Sequence, residues 1–250
     1  MNLPEEVIEA VNNARCVLFV GSRASIEAAE LAGVPAQSEK RLGKEICGKR
    51  VLLPEACARR EQADGRTAMV EALRTHRGFD EVAPSIFHTL AVKRFPRIFT
   101  TCWDSLLERA AEDLGGAADV AYPGQDVPEH DLRRRAVVKL WGGFERPDTV
   151  RVTAADLAQR PGAAAFRKQL RLILRDHVVF FVGFGPQESD FDLVWDELSN
   201  AYGGELPRCH MAVPQGKLSD ALWQKWVWRG ILPFTADPAE ALEALEAKLA

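Results

Sequence analysis

The stretch TTCWD at 100–104 sets two hydroxyls, a thiol, an indole and a carboxylate in front of a helical pattern, SLLERAA. Thr101 and Asp104 offer polar contacts to a ligand, and a thiol at a helix N-terminus can be activated as a nucleophile. No histidine adjoins Cys102 in the sequence, so a thiol–imidazole pair is not indicated. Asp104 serves equally well as a cap for the helix that follows. GSRAS at 21–25 is a glycine turn running into a second helical pattern. The unpaired amides and dipole of a helix N-terminus favour an anion there, although a tight turn capped by Ser22 explains the same residues. GFGPQESD at 183–190 joins two glycines, a proline and acidic residues, with Ser189 or Asp190 available as caps. In AVVKLWGG at 136–143 an apolar run stops at a tryptophan followed by two glycines. Trp141 is a core filler, a ligand platform, or a residue standing where a chemical group has been lost.

These segments need elements to hold them. CVLFV (16–20), RIFTT (97–101), ADVAY (118–122), AVVKL (136–140), HVVFFVG (177–183) and CHMAV (209–213) are short apolar runs that read as strands. TVRVT at 149–153 alternates polar and apolar residues, as a half-exposed edge strand does. Helical patterns cover 3–13, the segment from GSRAS to the stop at Gly33 and Pro35, WDSLLERAAEDLGG, 163–176, about 190–202, and the C-terminal AEALEALEAKLA, before which stands the short apolar stretch ILPF. Residues 36–95 are mostly helical in pattern, with little strand signal beyond VLL at 51–53, and read as an inserted helical lobe. Strands alternating with helices predict an α/β fold: a Rossmann-like, doubly wound, mainly parallel sheet in a single domain over 1–250. Ligands in such sheets bind beyond the carboxyl ends of the strands, where all four chemical segments fall. His177, at the start of a strand, belongs at the opposite edge. The tryptophans of WQKWVWRG at 223–230 suit core or interface packing better than base stacking.

Composition narrows the function. The 250 residues are 47% hydrophobic and 27% charged, with a net charge of −4, which suits a globular protein and gives no general reason to expect nucleic-acid binding. No apolar run reaches the length of a membrane span, and the acidic, amphipathic N-terminus is unlike a signal peptide, so a cytoplasmic protein is expected. Five cysteines without a C-x-x-C pair, and scattered histidines, indicate neither a disulfide framework nor a metal site.

Taken together, the four segments resemble the Sir2-like (sirtuin-related) family of NAD-binding domains over roughly residues 15–200. The similarity is greatest to the bacterial branch that lacks the zinc module and often acts as an NAD-consuming effector. The family's G-A-G-x-S turn is Gly21-Ser22-Arg23-Ala24-Ser25. Its I-L-T-T-N-Y-D-x-L-L-E block is IFTTCWDSLLE at 98–108, its K-L-H-G is Lys139-Leu140-Trp141-Gly142, and its V-L-T-x-x-D is VTAAD at 152–156. Its F-I-G-Y-S-x-x-D-x-D-F is FVGFGPQESDF at 181–191. The resemblance implies that Gly21, Ser22, Ala24, Ser25, Thr101, Asp104, Gly142, Gly183, Phe184 and Gly185 surround NAD or ADP-ribose. It also implies two losses. The catalytic asparagine, which positions the nicotinamide ribose and the attacking water, falls at Cys102. The catalytic histidine, the general base, falls at Trp141. Indole has no basic nitrogen, and His88, in the lobe, matches a packing position.

Three functions follow as expectations. The first is a catalytically weak or inactive domain that holds NAD or ADP-ribose as sensor, scaffold or regulatory module. The second is an active NAD glycohydrolase, an effector of antiphage defence that uses altered residues. The third is a protein-interaction or self-associating domain whose pocket has closed around Trp141.

Overall fold

Strands buried on both faces are apolar at every position, and CVLFV shows this: all five residues of β1 (Cys16–Val20) are buried. The computed structural model describes residues 3–34, 39–77, 79–126, 135–158, 170–172, 175, 177–184, 189–202, 207–217 and 219–249. β1 lies inside a sheet with β2 (Arg97–Thr100), β3 (Ala118–Ala121), β4 (Arg135–Lys139), β5 (Val178–Val182), β6 (Cys209–Val213) and β7 (Ile231–Thr235). The order is β3-β4-β2-β1-β5-β6-β7, and every pairing is parallel. This is the Rossmann-like α/β sheet expected.

Alternate residues of each strand feed two apolar layers. Leu18, Val20, Ile98, Val137, Phe180 and Val182 face one layer, covered by α1 (Glu5–Asn12), α6 (Ile86–Arg94), α7 (Leu106–Asp113) and the C-terminal helix Pro238–Leu249. Val17, Phe19, Phe99, Val138, Val179 and Phe181 face the other, against Leu170 and the helices Ser189–Tyr202 and Asp220–Trp228. Trp226 is buried in that second layer, edge-on to Phe191 at 4.5 Å, whereas Trp223 and Trp228 of the same helix are exposed. The helix expected over 163–176 falls mostly outside the described residues.

Between β1 and β2 the described residues form five helices: α2 (Arg23–Leu31), α3 (Glu39–Cys47), α4 (Leu53–Asp64), α5 (Arg66–Arg77) and α6. Leu42, Ile46, Leu53, Cys57, Met69 and Leu73 of α3–α5 form a separate apolar cluster closed by Phe144, Val150 and Val152. α6 packs with the sheet instead.

One expected strand is absent. TVRVT at 149–153 is no edge strand: Pro147–Thr149 forms a 3₁₀ turn and Thr153 leads into α8 (Ala154–Ala158). Its alternation has another cause, because Val150 and Val152 bury against the helical cluster while Arg151 between them is only half-buried. The sheet ends instead at β3 and at β7, whose ILPF reads from sequence only as a short apolar stretch. Pro233 within β7 suits an edge, where one face of the backbone needs no partner.

Register brings the strand ends level. Val20 pairs with Thr100 on one side and Val182 on the other, and Thr100 pairs with Lys139. Residues 21, 101, 140 and 183 therefore leave the sheet along one edge. The crevice there lies where the strand order turns outward from β1 in both directions, the place where open α/β sheets bind ligands.

Candidate functional site

A cavity of about 380 Å³ opens at that edge. Its floor comes from the strand ends: Ser22 and Ser25 after β1, Thr101 to Asp104 after β2, and Trp141 after β4. One wall is the lobe, with Leu52, Leu53, Pro54, Arg77 and Phe79, and another is the chain around Phe144, Arg151 and Val152. The volume lies toward the small end of the range of about 300–1,000 Å³ for ligand pockets.

Backbone and side-chain bonds lock the floor. Thr101 N–H donates to Val20 O at 3.2 Å, and Cys102 N–H to the Thr100 hydroxyl at 3.0 Å. Trp103 Nε1 donates to Trp141 O at 3.0 Å, and Phe144 N–H returns to Trp103 O at 2.9 Å. Beneath them the buried Lys139 ammonium donates to Glu108 Oε1 at 2.8 Å and to the carbonyls of Cys102 and Asp104. Burial works against its charge, but Glu108 and Asp104 outweigh that and hold the Lys139 pKa above the ordinary lysine range. The wall is fixed by VTAAD. Asp156 Oδ2 accepts Thr153 N–H at 2.9 Å while Thr153 Oγ1 accepts Asp156 N–H at 3.1 Å, a reciprocal cap for α8. Arg66 of the lobe pairs with the same carboxylate at 2.9 Å. Burial opposes the Asp156 charge, yet these amides and the guanidinium hold its pKa below the usual range.

The residues expected around a ligand divide into two groups. Ser22, Ser25, Thr101 and Asp104 line the cavity, as do the two family catalytic positions, Cys102 and Trp141. Gly21, Ala24, Gly142, Gly183 and Phe184 are not among the residues that line it. Gly21 and Gly183 meet each other: a Cβ on Gly21 would lie 2.5 Å from Gly183 O, and Gly183 has φ 79°. Their lack of side chains lets β1 and β5 release the chain side by side. Ala24 packs at the same junction, 3.1 Å from where a Gly183 Cβ would sit. Gly142, at φ 79°, presses on Thr149 O, and Phe184 is a core ring against Phe181 and Phe191. Gly185 lies outside the described residues. The residues missed from sequence are Arg77, Phe79, Trp103, Phe144 and Arg151. Trp103 and Arg151 sit inside segments already singled out, but Arg77 and Phe79 carry no local signal because only the lobe's fold brings them to the strand ends.

Asp104 behaves as a cap, accepting Leu106 N–H at 3.2 Å. Cys102 is a buried thiol beside Gly21 O at 3.5 Å. Burial pushes its pKa up to about 12 and the Asp104 carboxylate adds to this, only partly opposed by the Ser25 and Thr100 hydroxyls and by Lys139. The helix N-terminus therefore does not activate it. Cys102 should react with iodoacetamide at pH 8 about a thousandfold more slowly than an ordinary thiol, because so little thiolate is present. Half-buried Cys47 should label first in the native protein. Peptide mass spectrometry over a time course checks this, and rapid native labelling of Cys102 would overturn it.

Trp141 is both packing and lining. Its ring joins the apolar layer with Val138 and Phe181, and only 6% of the residue is exposed. Its Nε1 is buried with no hydrogen-bond partner, and so is Thr101 Oγ1. Ser25 Oγ lies beside the Cys102 thiol yet completes no hydrogen bond of normal geometry. Buried polar atoms without a partner are uncommon in a folded protein, and these three belong to residues that line one cavity. His88 offers no replacement base. It is buried on α6, Nδ1 accepting from Ser85 N–H at 3.2 Å and lying 2.9 Å from the Ser85 hydroxyl, and burial lowers its pKa to about 4. His177 precedes β5, at the other end of the strands.

The family model for the SIR2-like domain matches residues 96–230, more than half of the 250 residues. The chain belongs to the SIR2-like domain family. The match takes in the SIR2-like TT-x-x-D block, the Lys139–Gly142 turn and β5, and membership ties the chain to NAD-related function in general. No individual curated protein matches the chain. Among the described residues of this SIR2-like chain, no group of three or more His, Cys, Asp or Glu is placed to hold a metal ion. No described helix is long and apolar enough to cross a membrane.

Proposed function

We propose that this single SIR2-like domain, with α3–α5 as its lobe, binds NAD or ADP-ribose and holds it without turnover, as a sensor, scaffold or regulatory module. The observation that carries this reading is that three residues lining the cavity, Ser25, Thr101 and Trp141, each keep a buried polar atom without a hydrogen-bond partner of normal geometry. Ribose hydroxyls and phosphate oxygens are the partners such groups need, and leaving them unmet costs about 1–3 kcal/mol each. The residues thus fit the ligand that the family implies.

Turnover needs a base, and the described residues lining the cavity offer no imidazole for that role. Indole only donates, the Cys102 thiol stays protonated, and Asp104 is engaged as a cap. An active glycohydrolase of a defence system would have to find its base elsewhere in the chain.

Isothermal titration with NAD and with ADP-ribose tests binding, and nicotinamide release tests turnover. Saturable one-to-one heats without nicotinamide release are expected. Thr101→Val, which keeps the shape and removes one hydroxyl, should weaken ADP-ribose about three- to tenfold. Absence of heat with either ligand would leave the closed, protein-interaction reading in place.

A further inference from the structure

Resting on the nucleotide-binding reading above, we propose that Arg77 and Arg151 form an anion clamp on the cavity that selects pyrophosphate-bearing nucleotides over uncharged nucleosides. The two guanidiniums come from different places. Arg77 ends α5 in the lobe, and Arg151 follows the 3₁₀ turn after β4, yet both line the same cavity. Neither has a carboxylate within ion-pair distance among the described residues. Two other partly buried arginines do: Arg66 is paired with Glu61 and Asp156, and Arg229 with Asp192 at 2.5 Å.

Their contacts leave the charge available. Arg77 stands 5.6 Å from the Phe79 ring centre and 5.9 Å from that of Trp103, so its stem and plane are held by aromatic faces. Arg151 makes one long contact, 3.5 Å to Asp148 O, and its backbone N–H is fixed on Trp141 O at 2.8 Å. Among the described lining residues the one carboxylate, Asp104, lies close to the buried Lys139 ammonium and accepts a helix N–H. The charge that the described residues bring to the cavity is therefore net positive. Guanidinium forks match phosphate oxygens bidentately. Four aromatic rings, Phe79, Trp103, Phe144 and Trp141, also line the cavity, which suits the rings of a nucleotide.

The test titrates ADP-ribose, inorganic pyrophosphate and adenosine into the full chain and into Arg77→Gln and Arg151→Gln. Circular dichroism on each variant confirms the fold. Each substitution should weaken ADP-ribose and pyrophosphate by about tenfold to a hundredfold and leave adenosine within about twofold. Arg77→Lys, which keeps charge but loses the fork, should fall between parent and Arg77→Gln. ADP-ribose affinity unchanged in both glutamine variants overturns the clamp while leaving nucleotide binding intact. Pyrophosphate binding that depends on the arginines, with no ADP-ribose binding, removes the nucleotide reading and keeps the clamp as an anion site. No binding of any of the three ligands to the parent overturns both.

Discussion

Lys139→Met is expected to lower the unfolding free energy by about 3–5 kcal/mol, the usual consequence of stranding one half of a buried ion pair. Lys139 is 1% exposed, and its ammonium is shared among Glu108 Oε1 and the carbonyls of Cys102 and Asp104. Removing it leaves a buried carboxylate whose second oxygen, Glu108 Oε2, already has no partner. The pair also crosses elements, tying β4 to α7 beneath the loop that floors the cavity. Lys139→Met combined with Glu108→Leu should recover most of the lost stability, since apolar replacement of both partners of a buried pair is often close to neutral. It should not recover binding: the carbonyls of residues 102 and 104 lose their anchor, so ADP-ribose should remain weaker than in the parent. Urea unfolding midpoints at constant slope, with titrations on the double variant, check both halves. A single variant within about 1 kcal/mol of the parent would show that the pair is not the anchor described.

How far the sequence foretells this depends on what each segment responds to. CVLFV and HVVFFVG are legible because a strand buried on both faces has no alternative to being apolar throughout. The strand-end segments are legible because glycines, hydroxyls and caps cluster where parallel strands release the chain. TVRVT misleads because alternation records burial on one side, and helices can supply that side as well as a sheet can. ILPF is too short, and too marked by its proline, to declare itself an edge strand. At the site, Thr101, Cys102 and Trp141 lie on the cavity because register places them there. Gly21, Gly142 and Gly183 answer a different demand, the close approach of backbone to backbone. Arg77 is invisible in sequence because its position depends on how the α3–α5 cluster docks on Phe144, Val150 and Val152.

Nicotinamide release by the parent should be negligible, and Trp141→His with Cys102→Asn should raise it by about a hundredfold or more, the scale of a restored general base. The geometry favours the exchange at both positions. An imidazole at 141 replaces an indole that lines the cavity and whose buried nitrogen has no partner, and the ring change enlarges the space beside it. Burial there should lower the imidazole pKa, as it does for His88, so the neutral, basic form prevails at pH 7. Activity should then fall only as acid protonates the ring. At 102 an asparagine amide can keep the bond that the thiol makes to Gly21 O while adding an acceptor toward the ligand. Losing the indole from an apolar layer costs stability, about 3–5 kcal/mol in the extreme of Trp→Ala, so melting temperatures must accompany the rates. Tighter NAD binding without turnover would mean instead that the indole occupies the nicotinamide end of the cavity and that its surroundings no longer orient the ribose. The outcome that defeats the binding-module reading is plain nicotinamide release by the unmodified chain, abolished by a substitution confined to this cavity. Asp104, which lines the cavity, and His88, which is electrostatically coupled to it, would then be the first residues to change.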